Sequence, residues 1–165
     1  MVPRSVGILL YRLGRDGAEV LLVHPGGPFW RQRDLGSWSI PKGEPLAGEA
    51  AEDTARREFA EELGSVPEGP LVPLGQIRQR AGKTVDAFAL EGDLDAENHR
   101  CSSIVELEWP RGSGRILRFP EIDRAAWFPL PEARQRILAG QGAFLERLEA
   151  SGLTMAPRRP STDPA

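Results

Sequence analysis

The sequence predicts an α/β fold in which strands surround one central helix and further helices lie near the C-terminal end. Short runs rich in Val, Ile and Leu recur through the first 130 residues, and turns rich in glycine separate them. Apolar residues at helical spacing occur in one central segment. We expect one domain of residues 1–152, followed by a disordered Pro-rich tail of residues 153–165.

Two hairpins are predicted, one before and one after the central helix. In the first, residues 5–13 and 19–25 are apolar runs joined by a separator that contains an Asp-Gly pair. In the second, residues 71–80 and 84–92 are joined by Ala81-Gly82-Lys83. Both pairs are expected to be antiparallel because a short turn joins their strands.

A short strand, SWSIPKGE at residues 37–44, is predicted to end at Pro41 and to lead into the central helix. The segment between this strand and the first hairpin, residues 25–36, is long and rich in Gly, Pro and aromatic residues. Long ordered loops often carry function. The later elements are two strands and one interrupted helix or two short helices, at residues 103–110, 124–130, 131–140 and 142–150.

The central helix is predicted over residues 49–63, with Gly64 as its natural stop. Ala55, Phe59 and Leu63 recur every four residues and form the apolar stripe that would pack on the sheet. Three carboxylates share the arc beside that stripe, those of Glu58, Glu61 and Glu62.

These carboxylates lie in the last turns of the helix, where the helix dipole disfavours negative charge. Glu58 and Glu62 also repel each other at i,i+4 spacing. Arg57 can pair with Glu61, but one arginine cannot neutralise three glutamates. A bound hard cation, Mg²⁺ or Mn²⁺, would account for the charge; the alternative is a solvated Glu/Arg face.

The residues around this helix resemble the signature of the Nudix hydrolase family. From Gly43 the chain reads Gly, five residues, Glu49, seven residues, Arg57-Glu58-Phe59, one residue, Glu61-Glu62, one residue and Gly64. This matches the signature at every fixed polar and glycine position. The preceding GSWSIPKGE is also similar to the strand that leads into a Nudix motif.

One position departs from the signature, because Ser65 stands where the family prefers an apolar residue. Val66 follows directly and can take that packing role. The order of strands, loop and helices extends the resemblance over residues 5–150.

The resemblance implies a Nudix-type α/β/α sandwich with a mixed sheet, and hydrolysis of a nucleoside diphosphate linked to another moiety. In the family, the glutamates of the motif bind divalent cations. Carried over, the metal ligands are Glu58, Glu61 and Glu62, with the backbone of Gly43. Arg57 would orient the carboxylates. Glu49 either joins this catalytic set or stabilises the first turn of the helix.

Family members often use one more acidic residue, from a distant loop shortly before an aromatic residue on a late strand. Glu121 is predicted to fill that place, six residues before Trp127. Glu106 and Glu108 are the alternatives.

Five residues are candidates for substrate contact. Lys42 directly precedes the motif, and the loop of residues 25–36 holds two arginines and two adjacent aromatic residues, Arg31, Arg33, Phe29 and Trp30. The basic side chains could meet phosphate, and the aromatic rings could stack on a base. The alternatives are solvated charges and packing of the loop. His24 and His99 are too isolated in the sequence to indicate a metal pair.

Dinucleoside polyphosphates or (d)NTPs are the leading substrates. The proline expected some sixteen residues after the motif in ADP-ribose hydrolases is missing, since Arg80 and Ala81 stand there. The tyrosine expected nearby in many dinucleoside polyphosphate hydrolases is missing too, since Tyr11 is the only tyrosine. The alternative function is a Nudix-like nucleotide-binding or regulatory module without turnover, but such modules typically lose motif carboxylates.

The composition of the chain limits the kinds of partner that we expect it to bind. With 24 acidic and 21 basic residues, the net charge of −3 argues against a stable nucleic-acid partner but not against a small phosphorylated nucleotide. The single cysteine favours a reducing compartment. No apolar run is long enough for a membrane span, so we expect a cytoplasmic protein with no membrane partner. We expect it to be a monomer or a homodimer.

Overall fold

The computed structural model describes residues 3–155. Within these residues the chain forms one sheet of six strands, a separate two-stranded sheet and three α-helices. In chain order the elements are β1 (Arg4–Gly14), β2 (Gly17–Pro25), β3 (Lys42–Gly43), α1 (Ala51–Leu63), β4 (Val72–Arg78), β5 (Thr84–Glu91), β6 (Ile104–Glu108), β7 (Ile116–Pro120), β8 (Ile122–Pro129), α2 (Leu130–Arg136) and α3 (Gly142–Ala150).

The large sheet is mixed. Its strands run in the order β4-β5-β1-β2-β8; β1 and β5 are parallel, and the other pairs are antiparallel. One face packs against α1 through residues such as Ile8 and Phe59, and the other packs against α2 and α3 through residues such as Leu9 and Phe144. The predicted α/β/α sandwich with a mixed sheet is therefore confirmed, as are both predicted hairpins.

β3 lies against the first half of β1, where Gly7 pairs with Lys42 and Val6 pairs with Gly43. A β-carbon at Gly7 would stand 2.4 Å from the carbonyl oxygen of Pro41, so only glycine admits this close approach. The pairing fixes the start of the predicted motif against β1, an interior strand of the sheet.

α1 ends as predicted at Gly64, which has a φ of 96° and whose N–H donates to the carbonyl of Ala60. Its apolar stripe is buried against the sheet. The predicted start at Glu49 is two residues too early. Glu49 closes a turn in front of the helix, where its N–H donates to the carbonyl of Leu46 and its carboxylate accepts from Thr54.

The prediction of a short strand that ends at Pro41 is wrong in detail. Ser39 makes an isolated bridge to Val23, and Trp38 makes one to Ile137. Regular pairing resumes only in β3, after Pro41. The segment breaks up because successive residues bond to different partners, and the N–H of Ile40 donates to the side chain of Gln141.

β6 and β7 form the separate two-stranded sheet, an arm beside the main sheet. β6 falls within the predicted strand of residues 103–110. β7 was not predicted, because its five residues alternate weakly and contain Arg118 and Pro120. The predicted interruption of the C-terminal helix is confirmed, since α2 ends at Arg136 and α3 begins at Gly142.

Leu153, at the start of the predicted Pro-rich tail, packs partly against the core. Residues 156–165 of that tail lie outside the described residues. From residue 3 to residue 155, no helix has the length and apolar character needed to cross a membrane.

Candidate active site

The second half of α1 turns carboxylates towards the sheet and not only towards solvent. Glu58 is 9% exposed and Glu62 only 2% exposed, whereas Glu61 is partly open to solvent. The buried pair flanks Phe59, whose ring is fully covered by the core. Two of the three predicted metal ligands on α1 are thus held in an environment of low polarity, where an uncompensated negative charge is costly.

Arg57 gathers several carboxylates. Its Nε donates to Glu49 at 2.8 Å, and its Nη1 donates to Glu58 at 2.9 Å and to Glu61 at 3.1 Å. Its Nη2 donates to Glu49 at 2.9 Å and to the carbonyl of Glu44 at 3.0 Å. The sequence predicted only the pairing with Glu61.

Glu49 is the most strongly held of these carboxylates. Hydrogen bonds from Arg57, and then from Thr54, lower its pKa from an ordinary value of 4.5 to about 2. Its carboxylate also accepts from the N–H of Leu46 at 3.1 Å. Glu49 therefore ties the turn before α1 to Arg57 and holds the guanidinium beside the carboxylates of Glu58 and Glu61.

Gly43 lies directly against Glu58. A β-carbon at Gly43 would stand 1.9 Å from Cδ of Glu58 and 2.1 Å from its Oε2. Any side chain at this position would occupy the place of the carboxylate, so the pairing of β3 with β1 and the absence of a side chain together create the seat for Glu58.

Glu62 has an unsatisfied oxygen. Among residues 3–155, no group forms a hydrogen bond with its Oε2. Burial raises the pKa of Glu62 well above its ordinary value; the nearby charge of Glu121 also raises it, and the charge of Lys42 opposes both effects. Burial likewise raises the pKa of Glu58, while its bond to Arg57 opposes the rise. For both carboxylates the cost of burial therefore exceeds the effect of the nearby positive charge.

A cleft of about 190 Å³ opens beside Glu62. Lys42, Glu62 and Glu121 provide its polar wall, and Trp30 and Leu138 belong to its apolar wall. Polar groups that converge at one end of a largely apolar cleft are typical of a small-molecule site.

Glu121 is the only one of the three late-strand candidates that lines this cleft. Its Oε2 accepts from the hydroxyl of Ser103 at 2.6 Å, which fixes the carboxylate. Glu106 instead forms an ion pair with Arg118 on the outer side of the arm. Glu108 accepts from the N–H of Gly114 in the turn of the same arm.

Lys42 lies in the cleft with its side chain largely covered. Burial lowers its pKa, and the charge of Lys83 lowers it further, while Glu62, Glu121 and Glu58 oppose the change. Its ammonium group thus stands beside the acidic residues, where it could meet a phosphate oxygen.

The four residues of the loop that were predicted to contact substrate do not lie in one place. Trp30 lines the cleft, whereas Phe29 packs edge-on against Trp109 of the arm, with ring centres 5.0 Å apart. Arg33 places its guanidinium 5.4 Å from the centre of the Trp30 ring. Arg31 lies in a different depression, beside β7. Of the four, only Trp30 forms part of the cleft.

The carboxylates of this site are ligands that a hard cation prefers, but residues 3–155 contain no preformed metal site. Within residues 3–155, no three His, Cys, Asp or Glu side chains converge as a ready metal site. Arg57 holds Glu58 and Glu61, so these carboxylates would have to turn. The unpaired oxygen of Glu62 and the seat of Glu58 against Gly43 are nevertheless features that a cation with oxygen ligands would satisfy.

Sequence reasoning missed three supporting residues. Ser103 fixes Glu121, and the buried Gln141 donates to Ser39 and accepts from the N–H of Ile40. His24, dismissed as an isolated histidine, is fully buried and makes two side-chain hydrogen bonds. Only its place at the end of an apolar strand could have suggested burial.

A protein-family model described as the NUDIX domain matches residues 1–148. No curated protein matches this chain in sequence. Many solved structures match in fold. The NUDIX domain of Shewanella oneidensis NrtR, complexed with ADP ribose, is 19% identical, and the match covers 92% of this chain and 88% of that one at a TM-score of 0.65.

Two further structures extend this likeness. A Caenorhabditis elegans Ap4A hydrolase in a binary complex is 20% identical, with 91% of this chain and 97% of that one covered at a TM-score of 0.60. A mutT/nudix family protein from Listeria innocua is 19% identical, with 92% and 95% covered at a TM-score of 0.61. At these identities the solved structures establish a shared fold alone.

Proposed function

Because this chain belongs to the Nudix family, we propose that it hydrolyses a pyrophosphate linkage in a nucleoside diphosphate derivative, with Mg²⁺ or Mn²⁺ as cofactor. The observation that carries the proposal is Glu62, a buried carboxylate with an unpaired oxygen at the wall of a cleft it shares with Lys42 and Glu121. A buried glutamate with a purely structural role would have hydrogen-bond partners for both carboxylate oxygens.

The cation would be held by Glu58, Glu61 and Glu62 of α1, with Glu121 from across the cleft and the backbone of Gly43. When bound, such a cation supplies Lewis-acid chemistry: it offsets the charge of the pyrophosphate oxygens and makes water a better nucleophile.

The chain's own residues do the remaining work. Lys42 binds a phosphate oxygen and holds the polyanion in the cleft. Arg57 keeps Glu58 and Glu61 on one side of α1. A water oxygen forms a new bond to phosphorus as the bridging P–O bond breaks, and a carboxylate takes the proton of the water.

We place the substrate among dinucleoside polyphosphates and (d)NTPs. The proline expected in ADP-ribose hydrolases is missing, since Arg80 and Ala81 stand there, and its absence argues against ADP-ribose. Trp30 would stack on the base while Lys42 meets the phosphates, because both line the same cleft.

A substrate screen tests the proposal. Purified protein is incubated with dinucleoside polyphosphates, (d)NTPs and ADP-ribose, each with Mg²⁺, Mn²⁺ or EDTA, and the products are separated by chromatography. We expect metal-dependent cleavage between phosphates. In water enriched in ¹⁸O, one phosphate product should carry the label, because water attacks phosphorus. Tight nucleotide binding with no turnover under any metal would instead indicate the binding module.

A further inference from the structure

The proposed chemistry assigns no role to His24, the second-to-last residue of β2. Its side chain is 0% exposed, and its ring meets the ring of Trp38 edge-on with centres 5.1 Å apart. A polar ring this deeply covered requires hydrogen-bond partners for its nitrogens.

Both nitrogens have one. Nδ1 lies 2.8 Å from Oδ1 of Asp123, and Nε2 lies 2.6 Å from the carbonyl oxygen of Arg33. Carbonyl and carboxylate oxygens only accept hydrogen bonds, so both contacts are satisfied when each ring nitrogen donates. The ring therefore bridges two segments of chain that are far apart in sequence.

The first segment carries Glu121. His24 pairs with Arg124 across the β2–β8 ladder, but Pro25 pairs with Ile122, so Asp123 is an extra residue in β8. Such a bulge re-aims side chains and often occurs beside an active site. Here Asp123 reaches His24, while Glu121, two residues earlier, lines the cleft. The carbonyl of Glu121 also accepts from the N–H of Gly26 at 2.8 Å.

The second segment carries Trp30. The N–H of Arg33 donates to the carbonyl of Trp30 at 2.9 Å, so the residue that His24 holds also closes the turn of Trp30. We name residues 26–36 the Trp30 loop. One buried ring thus joins the loop that provides an apolar wall of the cleft to β8, which Glu121 of the acidic wall directly precedes.

We propose that His24 is a positioning residue, which clasps the Trp30 loop to the bulge of β8 and so fixes the separation of Trp30 and Glu121 across the cleft. Its effect on turnover rests on the proposed function, but the clasp itself does not. The two can therefore be tested separately.

Amide hydrogen exchange tests the clasp without any substrate. His24→Phe keeps a ring against Trp38 and removes both hydrogen bonds. Exchange at the amides of Gly26 and Arg33 should then rise on the order of tenfold, while exchange within α1 stays at the wild-type rate. His99→Phe is the matched control, because within residues 3–155 the His99 ring bonds only to Ala96 in its own turn. Wild-type exchange at Gly26 and Arg33 in His24→Phe would overturn the clasp.

A second pair of variants serves if His24→Phe does not fold. The side chain of Asp123 is 31% exposed, so replacements there should disturb the core less than a replacement of the fully buried His24. Asp123→Asn retains an oxygen acceptor for Nδ1, and Asp123→Leu does not. Only Asp123→Leu should speed exchange at Arg33. Equal exchange in the two variants would contradict a bridge through this carboxyl group.

Kinetics then separates positioning from simple packing. With the best substrate, His24→Phe should raise KM on the order of tenfold, and His99→Phe should leave KM unchanged. Faster loop exchange with an unchanged KM would overturn the positioning role. If the wild type turns over no substrate, the proposed function fails, and the exchange data still decide whether His24 clasps the loop.

Discussion

The α-carbon of Gly43 faces the carboxylate of Glu58 so closely that a β-carbon there would stand 1.9 Å from Cδ. Glu58 is therefore seated on bare backbone, and β3 contributes to the site through the absence of a side chain. The glycine of the motif has this steric explanation in addition to any role as a ligand.

Gly43→Ala should displace the carboxylate of Glu58 while the fold survives, because the far end of a flexible side chain can yield. We expect kcat to fall on the order of 10²-fold, the scale of a misplacement of about 1 Å in an active site. Gly142→Ala is the control, since its β-carbon would meet no atom within 4 Å. Steady-state kinetics with matched melting curves checks this, and an unchanged kcat in Gly43→Ala would contradict it.

Divalent metal should stabilise the folded protein. Glu58 and Glu62 lie buried with raised pKa values, so a cation that binds only the native state relieves their repulsion. At a hundredfold excess over Kd the gain is about 2.7 kcal/mol. Thermal melts in EDTA and in millimolar Mg²⁺ or Mn²⁺ measure it, and Na⁺ at equal ionic strength is the control. Identical midpoints would count against the metal site.

Much of the fold could be predicted because its signals are local. The stop at Gly64, the stripe of Ala55, Phe59 and Leu63, and the turn at Gly82 each act within a few residues. The broken strand before the motif could not be predicted. Ile40 bonds to Gln141, 101 residues away, and only the packed chain determines that partner.

The same division applies to the site. Helical spacing brings Glu58 and Glu61 together, and both bond to Arg57. The burial of Glu62 depends on how the whole chain packs and not on local sequence. The same is true of the pairing of His24 with Asp123, which lies 99 residues later. The loop of residues 25–36 shows most clearly what the sequence could not predict. Phe29 and Trp30 are adjacent in sequence, yet Phe29 packs on the arm and Trp30 lines the cleft.

Trp30→Ala should raise KM more than it lowers kcat. Stacking of a base on an aromatic ring is worth about 1–3 kcal/mol, so we expect KM to rise about 5- to 150-fold. Phe29→Ala is the matched control: it removes a neighbouring ring that packs on Trp109 outside the cleft. Kinetics on the best substrate compares the two. If both variants change KM equally, the loop acts as one packed unit and Trp30 has no special role.

Glu49 should contribute pH-dependent stability. Its pKa is lowered to about 2 in the folded protein, so the contribution is fully present above its ordinary value of 4.5 and is lost as pH falls towards 2. Glu49→Gln should therefore be less stable than the wild type at pH 7, and the difference should shrink between pH 4.5 and the lowest pH at which both fold. Urea unfolding across that range measures it; a constant difference would show that the charge of Glu49 is not responsible.

Glu62→Gln separates an enzyme from a binding module. The change keeps the size of the side chain and removes one buried charge beside the cleft. If this carboxylate is part of the active site, kcat should fall on the order of 10²-fold or more, the scale seen when one preorganised electrostatic group is lost. The fold should survive and gain stability, since Glu62 is buried with an unpaired oxygen and a raised pKa.

The control is Glu52→Gln, which makes the same chemical change at an exposed position of α1 and should leave turnover nearly intact. Melting curves and kinetics on both variants then distinguish the outcomes. Loss of folding in Glu62→Gln would make Glu62 a structural residue. A folded Glu62→Gln variant with wild-type turnover would contradict the active site, because a buried carboxylate oxygen that has no hydrogen-bond partner within residues 3–155 would have no part in the chemistry.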